Sequence, residues 1–72
     1  MNKKNKIKLV VNGKLLTVNA KFSLKNLIEK LKTPISKVAI ELNEEIIDKR
    51  KLKKIFLKNK DKVEVVHFIG GG

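Results

Sequence analysis

Cysteine, tryptophan and tyrosine are absent from this 72-residue chain, and histidine and proline occur once each. Without cysteine there can be no disulfide framework, thiolate zinc site or cysteine nucleophile. With His67 as the sole imidazole, one chain cannot assemble a histidine-based metal site or catalytic dyad. The expected catalytic residues and metal ligands are therefore none. No apolar run approaches the roughly 20 residues needed to span a bilayer. The opening Met1–Lys6 is not followed by the apolar stretch of a secretory signal. These absences predict a small soluble, intracellular domain that binds no cofactor and no membrane, and contributes no side-chain catalysis of its own.

Acidic groups are also scarce: eighteen basic side chains stand against seven acidic ones, a formal net charge of +11. That balance first suggests a nucleic-acid binder. Yet every basic residue except Arg50 is lysine, whereas arginine supplies the forked contacts favoured in base readout. Phe22, Phe56 and Phe68 are the only aromatic residues. No basic cluster carries interleaved aromatics on which bases could stack. A lysine-rich, solvated surface, of the kind a low-G+C coding sequence produces, accounts for the charge better than a nucleic-acid patch does.

At this length the chain forms one thin-cored domain, burying only about 60% of its unfolded surface. Lys6–Val11 reads as a strand, Asn12-Gly13 as a tight hairpin turn, and Lys14–Asn19 as the returning strand. A two-residue turn pairs Val11 with Lys14, Leu9 with Leu16, and Ile7 with Val18. Ile7, Leu9, Leu16 and Val18 then share the core face, and Val10 and Leu15 pair on the other. Ser23 can cap a helix whose apolar stripe is Leu24, Leu27, Ile28 and Leu31. Asn26 stands where a capping box prefers Glu or Gln, which predicts a partial cap, and Thr33-Pro34 ends the helix. Strands are expected at Lys37–Leu42 and, after an Asn43-Glu44 turn, at Glu45–Asp48. Arg50–Phe56 reads as irregular or briefly helical, anchored by Leu52, Ile55 and Phe56. Asn59–Asp61 turns the chain into a last strand, Lys62–Phe68.

This β-β-α-β-β-β order implies an α+β fold, a mixed sheet with one main helix packed across it. The arrangement resembles the ubiquitin-like β-grasp, with the first and last strands parallel at the sheet centre. The expected organisation is a single β-grasp domain over 1–69 and a flexible glycine tail over 70–72.

The sequence ends Phe68-Ile69-Gly70-Gly71-Gly72. Glycine has no Cβ and allows close backbone approach. Four residues from Ile69 could reach roughly 13 Å when extended. Such a tail could place a carboxylate inside another protein while the body stays outside. A carboxylate is a poor electrophile until activated, most simply as an acyl-adenylate made from ATP. No phosphate-binding glycine loop is present here, so activation falls to a partner and the chain reads as a group carrier.

Val38-Ala-Ile-Glu-Leu-Asn43, Glu45-Ile-Ile47 and Asp61-Lys-Val-Glu-Val-Val-His-Phe-Ile-Gly-Gly-Gly72 closely resemble the thiamine-biosynthesis sulfur carrier proteins. The resemblance covers about half of the chain strongly. It implies that an E1-like adenylyltransferase adenylates the Gly72 carboxylate at the expense of ATP. A persulfide donor such as a cysteine desulfurase then supplies the sulfur that displaces AMP and leaves a thiocarboxylate. Thiazole synthase takes that sulfur into the thiazole ring. The family's Gly-Gly end maps onto Gly71 and Gly72, and bacterial cytoplasm or plastid stroma is the expected compartment. Two turns depart from the family pattern: Glu44 stands where members often have Gly, and Asn59-Lys60-Asp61 where they often have Asp-Gly-Asp.

Alternation along the last strand separates Val63, Val65 and His67 from Glu64, Val66 and Phe68. Burying Glu64 unpaired would be costly, so its face should point outward. Val66, Phe68 and Ile69, joined by Val10 and Leu15 from the hairpin, are the candidate partner-binding residues. His67 reads as a strand residue near the rim, and the basic groups near the tail, Arg50 among them, as steering charges. Three other readings stay open: a molybdopterin-synthase small subunit, a ubiquitin-like protein modifier, and a small basic RNA-binding β-grasp module. The last predicts salt-dependent RNA binding that is indifferent to loss of Gly72.

Overall fold

Two residues with positive φ, Asn12 at 50° and Gly13 at 81°, close the first hairpin as a two-residue type I′ turn requires. They join β1 (Lys6–Val11) to β2 (Lys14–Asn19) in a computed structural model that describes residues 5–68. The register follows from the turn: Val11 faces Lys14, Leu9 faces Leu16 and Ile7 faces Val18, with Val10 and Leu15 paired on the opposite face. Leu9 and Val18 are buried, and Ile7 and Leu16 pack against the core margin.

Helix α1 (Leu24–Lys30) begins at Ser23, whose Oγ accepts the Asn26 N–H at 3.0 Å. The Asn26 Oδ1 in turn accepts the Ser23 N–H at 3.0 Å. The cap is thus a complete capping box and not the partial one expected. A shorter amide side chain supplies the same carbonyl acceptor that Glu or Gln would. Leu24, Leu27 and Ile28 are buried with the inner-face side chains of the sheet, each contributing about 1.5–3 kcal/mol by leaving water.

Three more strands, β3 (Val38–Leu42), β4 (Glu45–Ile46) and β5 (Lys62–His67), complete a five-stranded sheet of order β2-β1-β5-β3-β4. The central pair β1–β5 is parallel and the other pairs are antiparallel, as the β-grasp reading requires. Val38, Ile40, Val63 and Val65 face the helix and are buried. Lys37, expected in β3, belongs instead to a 3₁₀ turn over Ile35–Lys37. Strand β4 stops at Ile46, short of the expected Asp48, because Asp48 caps the 3₁₀ helix Lys49–Lys54.

One expected core anchor is placed elsewhere. Phe56 is 58% exposed, while Leu52 and its neighbour Leu57 are buried. The chain here is extended and bridges Ser23. The Leu24 N–H donates to the Ile55 oxygen at 2.8 Å and the Leu57 N–H to the Phe22 oxygen at 2.8 Å. That pairing turns Ile55 and Leu57 inward, and alternation sends Phe56 out.

Both turns that depart from the family pattern keep a left-handed backbone: Glu44 has φ 73° and Lys60 has φ 75°. Neighbouring bonds hold them. Asn43 accepts the Lys62 N–H on Oδ1 at 2.9 Å and donates from Nδ2 to the Asp61 Oδ1 at 3.0 Å. The Lys60 N–H donates to the Lys8 oxygen at 2.6 Å, and the Lys8 N–H to the Asn59 Oδ1 at 2.8 Å.

Candidate functional site

Strand β5 leads toward the glycine tail, and its alternation is the one expected. Val63 and Val65 are buried, whereas Glu64 and Val66 lie on the outer face of the sheet and Phe68, one residue past the strand, is exposed. Val66 is 51% exposed and Phe68 59% exposed. His67 sits opposite Val38 in β3 and is exposed at the rim. The end of the strand is tied on both sides. On one, the Val65 N–H donates to the Asn12 Oδ1 of the hairpin turn at 2.8 Å. On the other, the Phe68 N–H donates to the Lys37 oxygen at 2.9 Å. Ile69, Gly70, Gly71 and Gly72, which include the candidate reactive residue, lie outside the described residues.

A lysine that the sequence reading did not single out closes this end of the sheet. Lys49 Nζ donates to the Ile35 oxygen at 2.9 Å and to the Val38 oxygen at 2.7 Å. The same ammonium stands 5.5 Å from the centre of the Phe68 ring, within cation–π range. In sequence Lys49 is one of many lysines, and no local pattern marks it. Next to it, Asp48 caps the 3₁₀ helix by accepting the Arg50 N–H at 2.9 Å. The Arg50 guanidinium grips the Asp48 carboxylate with two further bonds, at 3.0 and 2.8 Å. That side-chain pairing, with help from the backbone bond, holds the Asp48 carboxyl well below the usual carboxylate range. Arg50 is thus matched to Asp48, leaving the exposed lysines as the unmatched charge of this segment.

The outer face divides the remaining docking candidates. Val10 and Leu15 face each other near the hairpin turn, with Leu15 largely exposed. The parallel register sets Val10 beside Lys62, four residues before Val66, or about 13 Å along the strand. Val66 and Phe68 therefore form one exposed group and Val10 and Leu15 another. Between β3 and β5, Glu41 and Glu64 lie directly opposite each other, and the exposed Ile46 of β4 faces Glu41. Ile46 is an exposed apolar position that the sequence reading left out of the docking surface. Among the described residues, no group of three or more metal-binding side chains comes together, and no helix is long and apolar enough to cross a membrane.

The sequence model of the ThiS family matches residues 5–72. The chain belongs to the ThiS family. This is the thiamine-biosynthesis sulfur carrier family that its C-terminal half resembles. A crystal structure of the ThiS thiamine biosynthesis protein from Geobacter metallireducens superposes with a TM-score of 0.79 at 35% identity, covering 92% of this chain and 100% of that one. The ThiS-like sheet and helix described above therefore have an experimental counterpart. Among curated relatives, a thiazole synthase of Paramagnetospirillum magneticum is 38% identical over 66 residues, 92% of this chain. This ThiS-family chain spans only about a fifth of that protein's length. An uncharacterized protein, ycf40, from Porphyra purpurea is 31% identical over 92% of this chain and 93% of its own length.

Proposed function

We propose that this ThiS-family chain carries sulfur as a C-terminal thiocarboxylate for the thiazole of thiamine, and that its catalytic groups are supplied by partners. The observation that carries the reading is a family match that runs through Gly72, on a body whose last strand is tied at Phe68. An E1-like adenylyltransferase provides ATP and the groups that activate the tail. A Gly72 carboxylate oxygen attacks the α-phosphorus, an acyl-phosphate bond forms and pyrophosphate leaves. The outer sulfur of a persulfide, held on a cysteine desulfurase or similar donor, then attacks the acyl carbon and expels AMP. A thiol cleaves the resulting acyl disulfide, becoming part of a disulfide itself and leaving the thiocarboxylate on Gly72. Thiazole synthase is the acceptor of that sulfur. Support for this last partner comes from relatives named thiazole synthase that hold a ThiS-like segment within one polypeptide. Two functions joined in one chain favour a direct meeting of carrier and acceptor.

On this reading Val66, Phe68 and Ile69 dock the tail into its enzymes, with Val10 and Leu15 available at the far end of the same face. An exposed aromatic ring beside the tail is the residue type that anchors interfaces. Two measurements test the proposal. Incubation with ATP, the adenylyltransferase and a sulfur source should raise the intact mass by the replacement of one oxygen with one sulfur. No such gain would refute the carrier role. Replacing Phe68 with Asp should weaken adenylyltransferase binding about 30-fold, the equivalent of a 2 kcal/mol anchor, while the domain remains folded. Unchanged affinity would remove Phe68 from the docking surface.

A further inference from the structure

Lys49 spends its three ammonium hydrogens in an unusual way. A lysine ammonium has three donors and no acceptor, and on a strongly basic surface most are solvated. Among the described residues, Lys49 is the only lysine whose ammonium donates to backbone carbonyls, those of Ile35 and Val38. These oxygens belong to the first residue of the 3₁₀ turn and to the first residue of β3. Between them in sequence, the Lys37 oxygen accepts the Phe68 N–H. The Phe68 ring then lies 5.5 Å from the same ammonium. Backbone and ring of Phe68 are thus held by one short loop and the one lysine that braces it.

We infer that Lys49 is a positioning residue for tail delivery: by holding the Phe68 ring, it fixes the point from which the chain's last four residues reach the adenylating enzyme. The inference rests on the sulfur-carrier reading above. Four residues span at most roughly 13 Å, so displacing the root displaces by the same amount everything those residues can reach. A misplacement of about 1 Å at a reacting group can cost as much as 100-fold in rate. Charge-assisted bonds hold the long side chain in place. Methionine at this position would preserve length and packing but lose all three interactions. Arginine would keep a cation over the ring and donors toward the carbonyls.

The test is adenylyltransferase-dependent exchange of labelled pyrophosphate into ATP, measured against carrier concentration below the unfolding range of every variant. Lys49→Met should lower kcat about tenfold while KM changes less than about threefold, and Lys49→Arg should recover most of the loss. In a Phe68→Ala background, Lys49→Met should cost less than about twofold more, because the lysine acts through the ring. The Lys49 ε-methylene protons should also resonate upfield of those of other lysines, and return to the ordinary position in Phe68→Ala. A Lys49→Met variant with a lower Tm but unchanged kcat and KM would overturn the inference, as would equal losses in both backgrounds. A normal Lys49 proton shift would likewise overturn it. Failure of the unaltered chain to support any exchange would instead refute the carrier reading, and with it the reaction that Lys49 is inferred to serve.

Discussion

Asn12 couples the hairpin to the last strand, and its replacement has a magnitude that can be worked through. The residue has two separable roles: it sits at φ 50° in the turn, and its Oδ1 accepts the Val65 N–H at 2.8 Å. That bond extends the short β1–β5 pairing one step past the backbone bond from the Asn12 N–H to the Val63 oxygen at 2.9 Å. Asn12→Gly keeps the backbone conformation but removes the acceptor. Loss of a partner for a partly buried N–H costs about 1–1.5 kcal/mol, the lower part of the range for buried groups. The added freedom of glycine in the unfolded chain costs about 0.5–1 kcal/mol more. The sum is about 2 kcal/mol. Asn12→Ala loses the same bond and also the local polar contacts by which asparagine tolerates the left-handed region, at about 1–2 kcal/mol, for a total near 3 kcal/mol. Asn12→Asp retains an acceptor and tolerates the turn, so it should stay within about 0.5 kcal/mol of the native chain. In a domain of this size each 1 kcal/mol moves Tm by about 4–8 °C. Thermal and urea unfolding followed by circular dichroism would read the order Asp, Gly, Ala. Hydrogen exchange at the Val65 amide should accelerate in the last two only. If Ala proved no worse than Gly, the strain argument would fail. If Gly matched the native chain with Val65 still protected, the cross-strand bond would have no energetic role.

The remaining predictions concern the other turns. Glu44 and Lys60 carry side chains where φ is 73° and 75°, so Glu44→Gly and Lys60→Gly should each stabilise by about 0.5–1 kcal/mol, relief of left-handed strain exceeding glycine's entropy cost; urea midpoints that fall would refute this. At the start of the 3₁₀ helix, Arg50 lowers the Asp48 pKa, so the pair's contribution to stability is present above about pH 4, the unfolded Asp range, and is lost as pH falls below it toward the lower folded value. Carboxyl-carbon titration by NMR should give Asp48 a midpoint below the ordinary aspartate value of about 3.9, and Arg50→Ala should move it back toward that value; an Asp48 midpoint already at that value in the native chain would refute the pairing.

Much of the frame was legible because its determinants are local. Asn12-Gly13 sets a two-residue turn, and that turn alone dictates which residues of β1 and β2 face each other. The spacing of Leu24, Leu27 and Ile28 marks the buried side of α1, and Ser23 marks its start. Strict alternation, together with the cost of burying Glu64, was enough to turn Val66 and Phe68 outward. The most diagnostic part of the family resemblance lay in the same stretch, the block that ends in the glycines, with Val38–Asn43 and Glu45–Ile47 beside it.

Where the reading missed, the deciding contact spans a distance along the chain. Phe56 and Leu57 are adjacent and both apolar, and nothing nearby says which is buried. Pairing with Phe22 and Ser23 makes that choice. The partial cap was a local error of a different sort, since Asn26 carries the required acceptor on a shorter side chain. Lys49 meets carbonyls 11 and 14 residues away and the ring of Phe68, and no sequence period links those positions. By itself, then, the sequence determined the order of the strands and helix and the hairpin register, because turn preference, periodicity and residue type act over a few residues. Only the tertiary structure decided which lysine braces the end of β5 and which side chain joins the hairpin to it. Those choices depend on long polar side chains meeting backbone groups that only packing brings together.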